Sequence, residues 1–176
     1  VYIIAFGIEI AFFLFALALF ASAYFAQKSA APFFPTPKRA IERSLAEVKL
    51  KKGEIFYDLG AGTGKALLLA DKNYGAITTG FEISIIFYCL GKLNLFFHNS
   101  KAKLFARNFF KQNLSDAGVV FCFLFPPTMQ KMEDKLKAEL RSGARVIVYA
   151  FPLPTMVPTK TITVQGNWKM FFYNID

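Results

Sequence analysis

From Ile55 onward two hydrophobic patterns alternate along the chain. Short apolar runs bounded by glycine or polar residues read as buried strands, and the stretches between them repeat apolar residues every three or four positions, as on one face of a helix. This reading predicts strands at 55–58, 76–82, 102–106, 119–125 and 144–151, with helices at 65–73, 84–97 and 128–140. A further helix precedes them, with Thr36 as its N-cap, Pro37 at its first position, and Ile41, Leu45 and Val48 on one face. Such alternation specifies an α/β fold, a parallel sheet with helices on both faces. The carboxyl end departs from it. Pro152, Pro154 and Pro158 leave 152–159 unable to form the crossover helix that another parallel neighbour requires. Strands 160–164 and 168–173, turning near Gly166, are therefore expected to close the sheet as an antiparallel pair.

Residues 2–26 follow neither pattern. They carry one charge, Glu9, in a run of Phe, Leu, Ile, Ala and Tyr, longer than the roughly 20 apolar residues that span a bilayer. One transmembrane helix is expected here. A secretory signal cleaved near Ala21-Ser22-Ala23 is the competing reading, but its apolar region would be only about 7 to 15 residues long. The chain thus divides into a membrane helix at 1–27, a juxtamembrane linker at 28–37 and a catalytic domain at 38–176. Seven basic residues between Lys28 and Lys52 face only Glu42 and Glu47, and such an excess stays on the cytoplasmic side of a span. The expected location is a single-pass membrane protein whose domain faces the cytoplasm, or the inner mitochondrial membrane in a eukaryote. Much of the net charge of +9 falls in this stretch, where anionic lipid accounts for it. Nucleic acid is accordingly not an expected partner.

Two cysteines and one histidine exclude a disulfide framework, a recognisable zinc set and a Ser-His or Cys-His nucleophile system. Cys89 and Cys122 are expected to be reduced and at least partly buried, and His98 to lie at a helix end or on the surface. No metal is expected.

The chemistry concentrates where the first strand breaks. Ile55-Phe56-Tyr57-Asp58 runs into Leu59-Gly60-Ala61-Gly62-Thr63-Gly64-Lys65. The third glycine comes one residue too early for a dinucleotide fingerprint. Leu59 stands where a P-loop needs glycine, and Ala66 where it needs Ser or Thr. What remains, D-x-G-x-G-x-G, resembles motif I of the S-adenosylmethionine-dependent methyltransferases with a Rossmann-like sheet. Glu82, 22 residues beyond Gly60 at the end of the second strand, is placed to accept hydrogen bonds from ribose hydroxyls.

Three more stretches extend the resemblance to the whole chain: Phe33-Phe34-Pro35-Thr36-Pro37, Phe125-Pro126-Pro127-Thr128-Met129, and Gly143-Ala144-Arg145-Val146-Ile147-Val148 leading to Phe151-Pro152-Leu153-Pro154. In order and spacing they are similar to the membrane-anchored protein-lysine methyltransferases that modify the adenine nucleotide translocase and the ATP synthase c-subunit, and to their prokaryotic relatives. The resemblance implies a class I methyltransferase sheet, S-adenosylmethionine as cofactor and a lysine-bearing protein as substrate. By position, Asp58 with Gly60, Ala61, Gly62 and Gly64 would hold the methionine portion, Glu82 the ribose, and Asn108 with Phe109 the adenine. Phe34, Pro35 and Thr36 would fold over the cofactor, and Phe125 and Pro126 would wall the methyl-transfer channel. The departures are Lys65 in place of arginine, Asn108 in place of aspartate, and the double proline after Phe125.

Methyl transfer to an amine needs a positioned, neutral nucleophile more than a dedicated base, and no general base is evident. Nucleic-acid amino-methyltransferases commonly set Asn or Asp before Pro-Pro and an aromatic after it; Phe125 and Thr128 stand in those places here. Lipid or quinone methylation and a nonenzymatic cofactor-binding subunit are the remaining alternatives.

Overall fold

The computed structural model describes residues 6–17, 20 and 34–176. Helix α1 covers residues 6–17. It is followed by α2 (Lys38–Glu47), β1 (Ile55–Leu59), α3 (Lys65–Tyr74), β2 (Ile77–Glu82), α4 (Ile85–Phe97), β3 (Lys103–Ala106), β4 (Val119–Cys122), α5 (Pro126–Glu139), β5 (Arg145–Tyr149), β6 (Lys160–Thr163) and β7 (Lys169–Asn174). The seven strands form one sheet in the order β3-β2-β1-β4-β5-β7-β6. β1 to β5 are parallel, and β7 runs antiparallel to both β5 and β6. The hairpin turns at Gly166, whose φ of 73° is left-handed.

Strand alternation sends successive side chains to opposite faces, which makes two cores. Phe56, Phe121 and Ile147 join Ile41 and Leu45 of α2, Leu67 and Ala70 of α3 and Leu95 of α4. Leu59, Val120, Cys122, Val146 and Val148 join Met129, Met132 and Leu136 of α5 on the other side. Because β1 pairs with β2 on one edge and β4 on the other, the chain reverses its winding there, and a crevice opens at the carboxyl ends of these strands.

Several boundaries differ from the sequence reading. Pro37 is the extended cap of α2 (ψ 139°) rather than its first helical residue, and no side chain caps that helix. β4 ends at Cys122 and α5 begins at Pro126, with prolines in its first turn. The double proline opens the helix because no intrahelical partner is needed for a backbone N–H there. Cys89 is exposed, contrary to expectation, whereas Cys122 is buried.

Helical residues 6–17 and 20 fall within the stretch expected to span a membrane; residues 1–5, 18, 19 and 21–33 lie outside the described residues. Among the described residues, no helix is long and apolar enough to cross a membrane.

Candidate active site

β1 delivers the chain to a turn in which every second residue is left-handed: Gly60 (φ 86°), Gly62 (φ 53°) and Gly64 (φ 71°). Residues with a Cβ adopt this conformation at a steric cost, and glycine does not. The amides of Gly60 and Ala61 both donate to the Phe81 carbonyl at 3.0 Å, and the Gly64 amide donates to Ala61 O at 2.8 Å. Glu82 fixes the middle of the turn. Its Oε2 accepts from the Gly62 amide at 2.8 Å and its Oε1 from the Ser84 amide at 2.7 Å. The carboxylate thus organises the glycine turn, while each oxygen retains a lone pair for another donor.

Residues that the sequence reading passed over hold this turn from behind. A Cβ on Gly80 would lie 2.5 Å from Leu67 Cδ1 and 2.8 Å from Ala61 Cβ. A Cβ on Gly91 would lie 2.6 Å from Leu104 Cδ2 and 2.9 Å from the Gly62 carbonyl. Gly91 therefore lets α4 press against the loop backbone, and Asn94, also on α4, donates from Nδ2 to Thr63 O at 2.8 Å. A glycine inside an otherwise helical pattern was the available signal for the close approach; nothing in the sequence marked Asn94.

In front of the turn lies a cavity of about 270 Å³. Its lining includes Phe34, Pro35, Thr36, Asp58, Gly60, Ala61, Gly62, Glu82, Asn108 and Phe109 from the expected cofactor set; Gly64 is not part of it. Asn108 has two roles, since its Oδ1 accepts from the Phe110 amide at 2.9 Å and so caps the short turn Phe109–Lys111. Lys65 Nζ donates to the Thr36 carbonyl at 3.4 Å, tying the segment ahead of α2 to the start of α3.

Asp58 is buried, and its carboxyl group takes no hydrogen bond from the described residues. Burial first, and then the nearby Glu82 charge, pushes its pKa up to about 8. An acid that lines the cavity and has no donor among the described residues fits a ligand that brings its own cation, as the α-ammonium of S-adenosylmethionine does. Phe109 and Phe110, with ring centroids 4.5 Å apart, present flat apolar surface at another part of the lining.

Phe125 and Pro126 lie outside this lining. Phe125 is the cap of α5 and stacks on Phe123 at 6.2 Å; Pro126 is exposed at the start of the helix. Phe123 is the ring that meets both the cavity and Phe125. The proline-rich segment after β5 is pinned by Leu153 N donating to Tyr173 OH at 2.9 Å and Thr155 N donating to Glu133 Oε2 at 2.8 Å.

Among solved structures, an RNA methyltransferase from Salinibacter ruber bound to S-adenosyl-L-homocysteine superposes with a TM-score of 0.77 at 26% identity, covering 81% of this chain and 94% of that one. A S-adenosylmethionine-dependent methyltransferase from Geobacter sulfurreducens, at 21% identity and a TM-score of 0.57, shares the fold over 76% of this chain and 57% of its own. In sequence, a protein-lysine N-methyltransferase of Saccharolobus islandicus is 31% identical over 81% of this chain and 91% of its own length. The mouse adenine nucleotide translocase lysine N-methyltransferase is 30% identical over 82% of this chain, which spans 63% of that protein. The model of the ANTKMT methyltransferase domain matches residues 58–160, from the orphaned acid of β1 to the first residue of β6, and the chain belongs to that family of S-adenosylmethionine-dependent methyltransferases.

Proposed function

We propose that this chain transfers methyl groups from S-adenosylmethionine to the ε-amine of lysine in proteins at or near a membrane. The observation that carries the choice of acceptor is the apolar wall where β4 gives way to α5. Phe123 lines the cavity, Phe125 stacks on it, and no polar side chain stands before Pro126-Pro127 to bond a base edge. The 31% identity to a protein-lysine N-methyltransferase supports the same reading. The likeness to the Salinibacter RNA methyltransferase keeps nucleic acid as the second reading.

When bound, the cofactor supplies an electrophilic methyl: the amine lone pair attacks it, the C–S bond pair leaves on sulfur as a neutral thioether, and the methylated ammonium returns a proton to solvent. The protein's part is placement. Asp58 and the backbone around Gly60 and Gly62 would hold the methionine end, with Asp58 neutralising its ammonium, Glu82 would hold the ribose, and Phe34-Pro35-Thr36 would cover the mouth. Aromatic surroundings favour the neutral form of an entering amine by removing water from it, so no protein base is required.

Membrane proximity is supported by the apolar composition of residues 2–26 and by the outer face of α4. Ile85, Leu90, Leu93, Phe96 and Phe97 are all exposed there. Between Ile83 and Arg107 the chain carries Lys92, Lys101, Lys103 and Arg107 and no carboxylate, a combination suited to an anionic lipid surface. The deciding experiment incubates the protein with labelled S-adenosylmethionine and a membrane proteome and locates the label by mass spectrometry. Lysine side chains are the expected sites; label confined to RNA, lipid or quinone would refute the acceptor assignment.

A further inference from the structure

The outer face of α4 is apolar and exposed, although the helix sits beside the cofactor cavity. Helical spacing puts Ile85, Cys89, Lys92, Leu93 and Phe96 on one side of it, turned away from Gly91 and Leu95, which are buried. Phe96 and Phe97 are each 74% exposed, and their rings meet edge to face with centroids 5.7 Å apart. Apolar side chains gathered in this way mark a surface that meets another molecule or a membrane. The face runs on to the cavity. Ile83, just ahead of α4, is 55% exposed and also belongs to the cavity lining, as does Phe87 one turn further on. Four cations come with it: Lys92 on α4, Lys101 and Lys103 where the chain enters β3, and Arg107 where it leaves. All four are exposed, and none forms an ion pair among the described residues. Asp71 reaches the chain just past α4, where its Oδ2 already accepts from the Ser100 hydroxyl at 2.6 Å and the Lys101 amide at 2.8 Å.

We propose that α4, with the adjoining edge of the sheet, docks flat on an anionic bilayer, its phenylalanines at the acyl boundary and its cations at the lipid phosphates. The cofactor cavity then opens at headgroup depth, because Ile83 belongs both to the docking face and to the lining. The proposal rests on the membrane-proximal reading and gives it an orientation: the lysines within reach of the cofactor are those at the membrane surface. Charge decides the occupant. In a two-fold contact a second copy would bring the same patch, and so these four cations, against their own equivalents, whereas anionic lipid offers a phosphate to each. Lysine stems lie along apolar surface while the ammonium reaches outward, so Lys92 joins the apolar side chains around it rather than interrupting them. With residues 2–26 as the expected anchor, docking is an intramolecular step, for which weak contacts suffice.

Cys89 reads this face directly, since it is exposed there and Cys122, the other cysteine of the chain, is buried. A polarity-sensitive maleimide fluorophore is placed on Cys89 of the full chain, which is reconstituted into vesicles of phosphatidylcholine, alone or mixed with phosphatidylglycerol. In the mixed vesicles the emission is expected to shift to the blue and to be quenched by a spin label on the lipid acyl chains; in phosphatidylcholine alone both effects are weaker. Lys101→Gln with Lys103→Gln is expected to lower the docked-to-free ratio about fivefold per charge removed. In Phe96→Ser with Phe97→Ser, methylation of a lysine peptide carried on a lipid anchor slows. Methylation of the same peptide free in solution and S-adenosylhomocysteine affinity stay unchanged there, which certifies the fold. A Cys89 label that remains in water while the chain floats with the mixed vesicles would overturn the docking and leave the anchor standing. Equal quenching in both vesicles would overturn the anionic surface as the occupant, and a label shielded without any vesicle would make the face a contact between copies. A chain that floats with neither vesicle would instead strike at the membrane-proximal reading itself.

Discussion

The Gly62 amide donates to Glu82 Oε2 at 2.8 Å, so the acid at the end of β2 and the middle glycine of the turn after β1 form one unit. Both oxygens of Glu82 accept from backbone amides, the second from Ser84. Only a carboxylate meets both donors at once, since an amide side chain would set its own N–H against one of them.

Glu82→Ala is therefore expected to lower both stability and cofactor affinity, with about 1 to 3 kcal/mol lost for the stranded Gly62 amide. Glu82→Gln would recover only one of the two bonds. Thermal denaturation and S-adenosylhomocysteine calorimetry on both variants check this. A Glu82→Gln protein matching the wild type in both measurements would contradict it.

Asp58 makes affinity depend on pH. With its pKa pushed up to about 8 by burial and then by Glu82, the ligand-free acid is largely protonated at neutral pH. A cationic ligand selects the carboxylate, so binding expels a proton. Affinity for S-adenosylmethionine is expected to rise by up to about tenfold per pH unit between pH 6 and 8 and to level off above. Calorimetry in buffers of different ionisation heats measures the released proton. Asp58→Asn is expected to remove the slope and weaken binding.

The same shift sets a stability trend of known sign. A carboxyl whose folded-state pKa lies above its unfolded value stabilises the fold fully below the unfolded value, and that contribution is lost as pH rises through about 8. The ligand-free Asp58→Asn protein is accordingly expected to melt higher than wild type at pH 8.5, with the gap narrowing toward pH 5.

Gly91→Ala tests the contact behind the turn. Its Cβ would lie 2.9 Å from the Gly62 carbonyl and 2.6 Å from Leu104 Cδ2. A loss of about 1 to 3 kcal/mol in stability is expected from overpacking, together with weaker S-adenosylhomocysteine binding because the displaced atoms belong to the turn. Unchanged binding in this variant would detach α4 from the site.

Membrane attachment is checked by alkaline carbonate washing. The full chain is expected in the pellet, and a protein lacking residues 2–26 is expected to be released at high salt, which screens the remaining basic contacts. Full release of the intact chain by carbonate alone would reject the anchor.

Element types and their order were legible in the sequence because local periodicity encodes them: apolar runs such as Ile55-Phe56-Tyr57 and the proline-interrupted stretch 152–159 announce strands and the end of parallel winding without reference to anything distant. The glycine turn was legible for a similar reason, since alternate glycines are what alternating left-handed conformations demand. Asp58 and Glu82 could be picked out by type and spacing. That Glu82 holds Gly62, that Asp58 has no donor among the described residues, that Gly91 backs the turn, and that Phe151 meets Phe125 and Trp168 meets Tyr149 depend on pairing between segments far apart in the chain. Such pairing is set by sheet order, and sheet order follows from how two cores fill on opposite faces of β1, β4 and β5. The double proline shows the boundary between the two kinds of information: Pro126 and Pro127 read locally as a break, and only the packing of Met129, Met132 and Leu136 against the sheet makes them the first turn of α5.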